Sequence, residues 1–283
     1  MTKKVLVTGA MGQIGSELTL ELRKKYGGQN VTATDIRVPG GKLAETGPCG
    51  TLDVTDRKAV FTAIEEGGFN TIFHMAAILS ATGEKDPRLC WRVNMDGSMN
   101  IMDAAVELGL GTVIIPSSIA AFGPETPRFE TPQETVLKPK TMYGVTKVCG
   151  ELLGDYYVRK MGADIRGLRY PGIISSETPP GGGTTDYAVD IFHQAVQNGE
   201  YTCFVKEDTM LPMMYMPDCI KATIDLAEAD KKGLIHSCEY NLSALSFTAG
   251  ELAAEIRKHI PGFKISYEPD FRQEIADTWP LHR

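Results

Sequence analysis

Little in this sequence suggests a covalent staple, a metal centre or a membrane anchor. Its six cysteines (Cys49, Cys90, Cys149, Cys203, Cys219, Cys238) are scattered through 283 residues with no C-x-x-C pair. That spacing argues against a disulfide framework and a clustered zinc site, and it suits a reduced compartment, the cytoplasm. The five histidines are dispersed as well. His74, inside an apolar run, reads as a hydrogen-bonded core residue rather than a ligand. No apolar run approaches the roughly 18 residues of a membrane span. There is no basic excess: 29 Lys and Arg face 36 Asp and Glu, a formal charge of −7. This argues against a general nucleic-acid surface. A secretory leader is not expected, because the first strand begins almost at Met1.

What is present is a strand, a glycine turn and a helix. Lys3 to Thr8 is a short β-branched, apolar run. Gly9-Ala10-Met11-Gly12-Gln13-Ile14-Gly15 follows, and Ile14, Leu18 and Leu22 then keep helical spacing to Tyr26. This is the opening of a dinucleotide-binding βαβ unit. Gly9 permits the tight turn. Gly12 lets the backbone approach a pyrophosphate at the helix N-terminus, and Gly15 lets helix and strand pack closely. The spacing is G-x-x-G-x-x-G rather than G-x-G-x-x-G. Val31 to Ile36 reads as strand two, and Asp35 near its end stands 20 residues after Gly15. An acid there accepts hydrogen bonds from the adenosine ribose and repels a 2′-phosphate, which favours NAD over NADP. Arg37 beside it reads as a solvated arginine.

Farther on, Thr51 to Val54 reads as a short strand whose Asp53 faces an adenine or serves as a turn or cap before a helix near Asp56. Thr71 to Ala77 reads as strand four, with small Ala76 and Ala77 leaving room for a ligand. A long helical stretch spans Pro87 to Leu108 and contains Asn94. Thr112 to Ser118 is strand five, Gly123 to Met142 a proline-containing surface excursion near the site, Tyr143 to Met161 a helix and Ala163 to Tyr170 strand six. Alternating strands and helices predict an α/β fold, a doubly wound parallel (Rossmann) sheet with ligands at the carboxyl ends of its strands. Gly9, Asp35, Ala77, Ser118 and Pro171 all fall there. After Pro171 the pattern changes. Ser175 to Thr185 is rich in Gly, Pro, Ser and Thr, and a helix capped by Thr185 or Asp186 follows. The expected division is an NAD-binding domain of residues 1–173 plus about 218–244, and a smaller, discontinuous substrate domain of about 174–217 plus 245–283.

The chemistry rests on Tyr143-Gly144-Val145-Thr146-Lys147. Y-x-x-x-K on a helix puts phenol and ammonium on one face, one turn apart. The ammonium and a cationic nicotinamide stabilise the phenolate, so Tyr143 can act as a general base. Lys147 can also hold the nicotinamide ribose. Ser118, 25 residues upstream at a strand end, can bind the reacting oxygen.

The glycine turn, Asp35, Asn94, Ser118 and the Tyr143/Lys147 pair resemble the extended short-chain dehydrogenase/reductase superfamily over nearly the whole chain. Narrower segments are similar to short-chain L-threonine 3-dehydrogenases: Pro116 to Pro124, Tyr170 to Ser175, Gly181 to Ala188, Met213 to Asp218 and Pro269 to Pro280. That resemblance implies oxidation of the L-threonine Cβ hydroxyl by NAD+ to 2-amino-3-ketobutyrate. It also implies a homodimer built on the helices carrying Asn94 and Tyr143. The cofactor is expected against Gly9, Gly12, Gln13, Ile14, Gly15, Asp35, Ile36, Asp53 and Val54. It continues along Met75, Ala76, Ala77, Asn94, Tyr143, Lys147, Tyr170, Pro171 and Ile173. The substrate is expected against Ser80, Ser117, Ser118, Tyr143, Gly172, Thr184 and Thr185, under a closing loop. The resembled family usually continues a few tens of residues beyond Trp279-Pro280, whereas this sequence ends Leu281-His282-Arg283. A missing tail would belong to the small domain and bear on substrate closure.

Two other readings share the fold. A nucleotide-sugar epimerase or dehydratase needs basic residues for a diphosphate, and the small domain offers few arginines before Arg257 and Arg272. A non-catalytic NAD-sensing protein would be free to lose Tyr143, Lys147 or Ser118, and all three are present. A zinc-dependent alcohol dehydrogenase is disfavoured by the absence of clustered ligands.

Overall fold

A computed structural model describes residues 3–242 and 244–280, so Leu281 to Arg283 lie outside the described residues. The described residues build a parallel sheet from β1 (Val5–Thr8), β2 (Val31–Asp35), β3 (Cys49–Thr51), β4 (Thr71–His74), β5 (Thr112–Ile114) and β7 (Ile165–Arg166). The order is β3-β2-β1-β4-β5-β7, a doubly wound arrangement. Strand β1 is buried throughout, because helices cover both faces. Alternation sends Val5 and Val7 to one side, against Leu18 and Leu22 of α1 (Gln13–Tyr26). Leu6 goes to the other, with Val60 and Ile64 of α3 (Arg57–Gly67). A short helix, α2 (Lys42–Thr46), leads into β3. The strand expected at Thr51–Val54 lies earlier, at Cys49–Thr51. Asp53 falls in the turn that follows, and Asp56 caps α3.

After β4 come α4 (Ser80–Lys85) and α5 (Pro87–Trp91), the first of which the sequence reading missed. A π-helical turn, Arg92–Asp96, joins α5 to α6 (Gly97–Glu107). Strand five breaks at Ile114, because Pro116 has no N–H to donate. The chain leaves the main sheet, and β6 (Ser117–Ser118) pairs with β8 (Leu168–Tyr170), beside β12 (Tyr240–Asn241). Strand six splits as well, at Gly167. A Cβ there would lie 2.5 Å from the Ile115 carbonyl oxygen and 2.6 Å from that of Cys238. The 123–141 segment docks on this small sheet: Gln133 accepts from the Asn241 N–H at 2.8 Å.

The remaining chain forms smaller layers. Strand β9 (Gly172–Ile174) pairs with β11 (Met210–Tyr215), which pairs with β13 (Leu245–Thr248). Strands β10 (Glu200–Cys203) and β14 (Lys264–Tyr267) form a parallel pair. Helices α8 (Tyr187–Gln197), α10 (Ala249–His259) and α11 (Phe271–Ala276) cover these layers, and α10 begins with a Thr248/Glu251 capping box. Helix α9 (Met216–Glu228) returns to the first sheet beside α1. The core here joins Tyr187, Leu211, Leu252, Phe263 and Trp279 to Ile119 and Tyr143 of the larger part. No helix among the described residues is long and apolar enough to cross a membrane.

Candidate active site

At the carboxyl edge of the main sheet, a cleft of about 310 Å³ runs from Gly12, Gln13 and Gly15 to Tyr143, Thr184 and Trp279. The turn at its floor is shaped by contact distances. Gly9 has φ +65°, and a Cβ on it would sit 2.4 Å from the Ala76 nitrogen. A Cβ on Gly15 would sit 2.2 Å from the Gly9 carbonyl oxygen, whereas at Gly12 the nearest atom is 3.2 Å away. Gly9 and Gly15 thus serve packing, and Gly12 leaves the backbone open to a ligand.

Several unsatisfied groups fit a dinucleotide there. Helix α1 has neither a side-chain cap nor an acid in its first turn, so its leading N–H groups are free for phosphate. Gln13 Nε2 is buried without a partner among the described residues. Asp35 accepts from the N–H of Met11 at 2.9 Å and of Ile36 at 2.8 Å, which orients its carboxylate and leaves lone pairs for two hydroxyls. Ile36 is exposed, and Val54 is buried under α6. Asp53 accepts from both the N–H and hydroxyl of Thr55, a turn contact. Met75, Ala77, Pro171 and Ile173 line the cleft, and Ala76 closes over Gly9.

Tyr143 lies in the first turn of α7 (Met142–Met161), which Thr141 caps by accepting from the Gly144 N–H at 3.0 Å. Ser118 lines the cleft with Tyr143; its hydroxyl accepts from the Ala120 N–H at 3.2 Å, and it acts to lower the Tyr143 phenol pKa. The Lys147 ammonium sits 5.3 Å from the centre of the Tyr143 ring and donates to the Pro116 carbonyl at 2.7 Å. The expected ionisation pattern is not what the protein alone produces. Burial pushes the Tyr143 phenol up to about 12, only partly offset by Ser118. Burial likewise pulls Lys147 down to about 8, against the pull of Glu151. Desolvation dominates at Tyr143, so a low phenol pKa requires a cation such as the nicotinamide ring beside it.

Three residues expected to touch ligand have their polar atoms engaged elsewhere. Ser117 points opposite to Ser118, as neighbours on a strand do, and its hydroxyl donates to Glu151. Asn94 accepts from the Ile78 N–H at 2.8 Å and donates to the Ile78 carbonyl and the Thr146 hydroxyl. It braces the loop after β4 from the π-helical turn. The Tyr170 hydroxyl meets Thr223 at 2.5 Å on α9.

The far wall is hydroxyl-rich. Ser80 and Thr184 pair at 2.9 Å, and the Thr184 N–H donates to Ser80 at 3.2 Å. Thr185 abuts Gly172, where a Cβ would come within 2.9 Å of it. Asp186 does not cap α8 with its side chain. It turns back to accept from the N–H of Gly182 and Gly183, both at 2.7 Å. Burial raises its pKa, against those two bonds and the nearby Arg272. Sequence reasoning passed over Thr82, Ile78 and Leu79, and gave Trp279 no site role, yet all four line the cleft. Thr82 lies on the short helix α4, Ile78 and Leu79 on the chain leading into it and Trp279 beyond α11, and none carries a local sequence signal.

The model of the NAD dependent epimerase/dehydratase family matches residues 5–242. An uncharacterized epimerase/dehydratase of Staphylococcus haemolyticus is 51% identical over 282 residues, covering 98% of this chain and 88% of that protein. The solved L-threonine dehydrogenase of Clostridium difficile is 50% identical, with a TM-score of 0.95, covering 99% of this chain and 88% of the other. The holo form of a GalE-like L-threonine dehydrogenase from Cupriavidus necator is 51% identical, with a TM-score of 0.95 and coverage of 98% and 90%. By sequence, by sheet order and by its glycine turn, this chain belongs to the NAD-dependent epimerase/dehydratase family.

Proposed function

We propose that the chain oxidises the Cβ hydroxyl of L-threonine to 2-amino-3-ketobutyrate, with NAD+ as hydride acceptor. The observation that carries this is the Ser118–Tyr143–Lys147 group at a cleft whose far wall is built of Ser80, Thr184 and Thr185. Full-length relatives named as L-threonine dehydrogenases support the substrate. Gly12, Gln13, the first turn of α1 and Asp35 would hold the dinucleotide, whose nicotinamide, when bound, accepts the hydride from Cβ. Tyr143 as phenolate takes the hydroxyl proton, while Ser118 holds the oxygen as it becomes a carbonyl. Lys147 supplies positive charge beside the phenolate and a donor for the ribose. The 175–185 segment excludes water when the amino acid is in place. It is tied down at its start, where Ser175 donates to Glu17 and Thr178 meets Ser16 at 3.2 Å. This reading treats about 174–217 plus 245–283 as the closing unit.

A sugar-nucleotide substrate is less well served. Arg257 donates to the Phe263 carbonyl, and Arg272 forks onto Asp270. Neither guanidinium lines the cleft. The deciding assay is NADH formation with L-threonine, beside D-threonine, L-serine and a nucleotide sugar. Strong turnover of L-threonine alone supports the proposal. Silence with every amino acid, with NAD retained by the purified protein, turns it over to the epimerase reading.

Two substitutions test the binding assignments. Asp35→Ala should weaken NAD+ binding by about 10- to 100-fold, the value of charge-assisted hydrogen bonds, and erode its preference over NADP+. An unchanged preference in cofactor titrations removes Asp35 as the ribose reader. Thr185→Ala should raise the threonine KM by about three- to tenfold at little cost in kcat. A normal KM would shift amino-acid recognition to the Ser80–Thr184 pair.

Two copies would pair through α5, α6 and α7. Trp91, Met99, Val145, Leu152 and Tyr156 are exposed there, and the last three follow helical spacing on α7. The cysteines are all free thiols, which fits a reducing cytoplasm.

A further inference from the structure

Beside Lys147, sharing His74, Ala77, Pro116 and Ser117 with the main cleft, lies a small cavity of about 20 Å³. Its lining includes His74, Asn94, Ser117, Lys147, Glu151 and Cys238. A single water needs roughly 10–15 Å³ and two or more polar partners. Most polar atoms around it are committed. Asn94 holds Ile78 and Thr146, Ser117 donates to Glu151, and Glu151 also pairs with Arg169. The Ser98 hydroxyl also borders the cavity and can donate or accept. Two nitrogen groups with capacity face it as well. One is the Lys147 ammonium, which has three donors and one protein acceptor, the Pro116 carbonyl. The other is His74. Only 2% of His74 is exposed, and its Nδ1 meets the Thr8 hydroxyl at 2.8 Å. Its Nε2 is fully buried without a partner among the described residues. A buried ring nitrogen left unpaired costs about 1–3 kcal/mol, so such a group is ordinarily satisfied.

We infer that this cavity is a water site in which the water oxygen accepts from the Lys147 ammonium and one water hydrogen is donated to His74 Nε2, making His74 a positioning residue for Lys147. An ammonium has only hydrogens to offer, so the water must turn its oxygen to Lys147 and its hydrogens away. His74 Nε2 is then an acceptor, and its ring proton sits on Nδ1, donated to Thr8. His74 stays neutral through this, since burial and the Lys147 charge hold its pKa down at about 3. The expected core histidine is thus satisfied on one side by the strand edge and on the other through water by the lysine.

The consequence rests on the role proposed above for Lys147 beside Tyr143. The groups facing the ammonium are Tyr143 and Glu151 on its own helix, Cys90 on α5, His74 on β4 and Cys238 before β12. Glu151 favours the charged lysine, whereas burial keeps the Cys90 thiol protonated and uncharged. The water, anchored by His74, adds an uncharged dipole in the same sense as Glu151. His74→Leu removes the anchor and should lower the Lys147 pKa by about one unit. Through Lys147, the acid limb of the kcat profile should move to higher pH.

The test uses full-length protein without cofactor or substrate. NMR of isotope-labelled histidine in the wild type should show His74 with its proton on Nδ1. NMR titration of labelled lysine in wild type, His74→Leu and His74→Gln should show the lysine pKa falling in the leucine variant and recovering in glutamine, whose carbonyl can accept from the water. A proton on Nε2 overturns the inference, as does a Lys147 titration that is the same in His74→Leu. The wild-type tautomer needs no variant, so a leucine variant that does not fold leaves the test intact. Neither readout uses threonine turnover, so failure of the dehydrogenase reading would be seen separately in the NADH assay.

Discussion

Tyr143→Phe should lower kcat for threonine oxidation by about 10²- to 10⁴-fold, the range typical of a lost general base, with NAD+ affinity largely kept. The substitution removes one oxygen from a ring that is otherwise packed among Ile119, Ala120 and Tyr187. Fold and cofactor cradle lie on other elements and should survive. The wild-type profile follows from the same site. Tyr143 works only as phenolate, and burial alone holds the phenol at about 12. Activity should therefore rise with pH from neutrality as the proton leaves. Lys147, down at about 8, loses its charge in overlapping range, so the limb belongs to the coupled pair rather than to either group. In Tyr143→Phe this dependence should vanish from the residual rate. A variant with normal turnover but weakened cofactor binding would assign Tyr143 to binding instead.

The main sheet was legible because its strands are short β-branched runs buried on both faces, set between helices with clear apolar spacing. Asp35 and the glycine turn were legible because backbone geometry admits few residue types there. The Y-x-x-x-K pair was legible because its spacing equals one helical turn. The splits at Pro116 and Gly167 were not, since each depends on a neighbour distant in sequence. Pro116 withholds an N–H from the main sheet, but that the chain resumes as β6 depends on Ser117 and Ser118 finding Arg169 and Tyr170 as partners. Asp186 looked like a helix cap from its position. Its choice of the Gly182 and Gly183 amides depends on a turn that the string of glycines does not specify. The orphaned nitrogens of Gln13 and His74 are invisible in sequence, because an unmet bond is a property of the packed site. The burial that raises the phenol in the protein alone is invisible in sequence for a related reason, which leaves the cationic nicotinamide as the partner the expected low pKa depends on.

Glu151→Ala should be the most destabilising single change near the site. Arg169 forks onto Glu151 at 2.8 and 2.7 Å, and both side chains are almost wholly buried. Removing the carboxylate leaves a guanidinium with only the Gln133 carbonyl and Asn241 as oxygen partners, at 3.1 and 3.0 Å. Breaking one side of such a pair costs about 3–5 kcal/mol, because the surviving charge stays desolvated. Thermal unfolding should show a Tm lower by roughly 10 °C. Glu151→Leu combined with Arg169→Met removes both charges and should regain most of that loss, since apolar replacement of a whole buried pair is often near neutral. The pair sits where strand and helix meet, because Ser117 also donates to Glu151 and Ser118 is the next residue. Even the stabilised double variant should therefore have reduced kcat. Its Ser117 has lost the partner that fixes β6 against α7, and its Lys147 has lost a nearby negative charge. A loss of less than about 1 kcal/mol in Glu151→Ala would mean that water reaches Arg169. Full activity in the double variant would mean that Ser118 and Tyr143 are aligned by the helix cap at Thr141 alone.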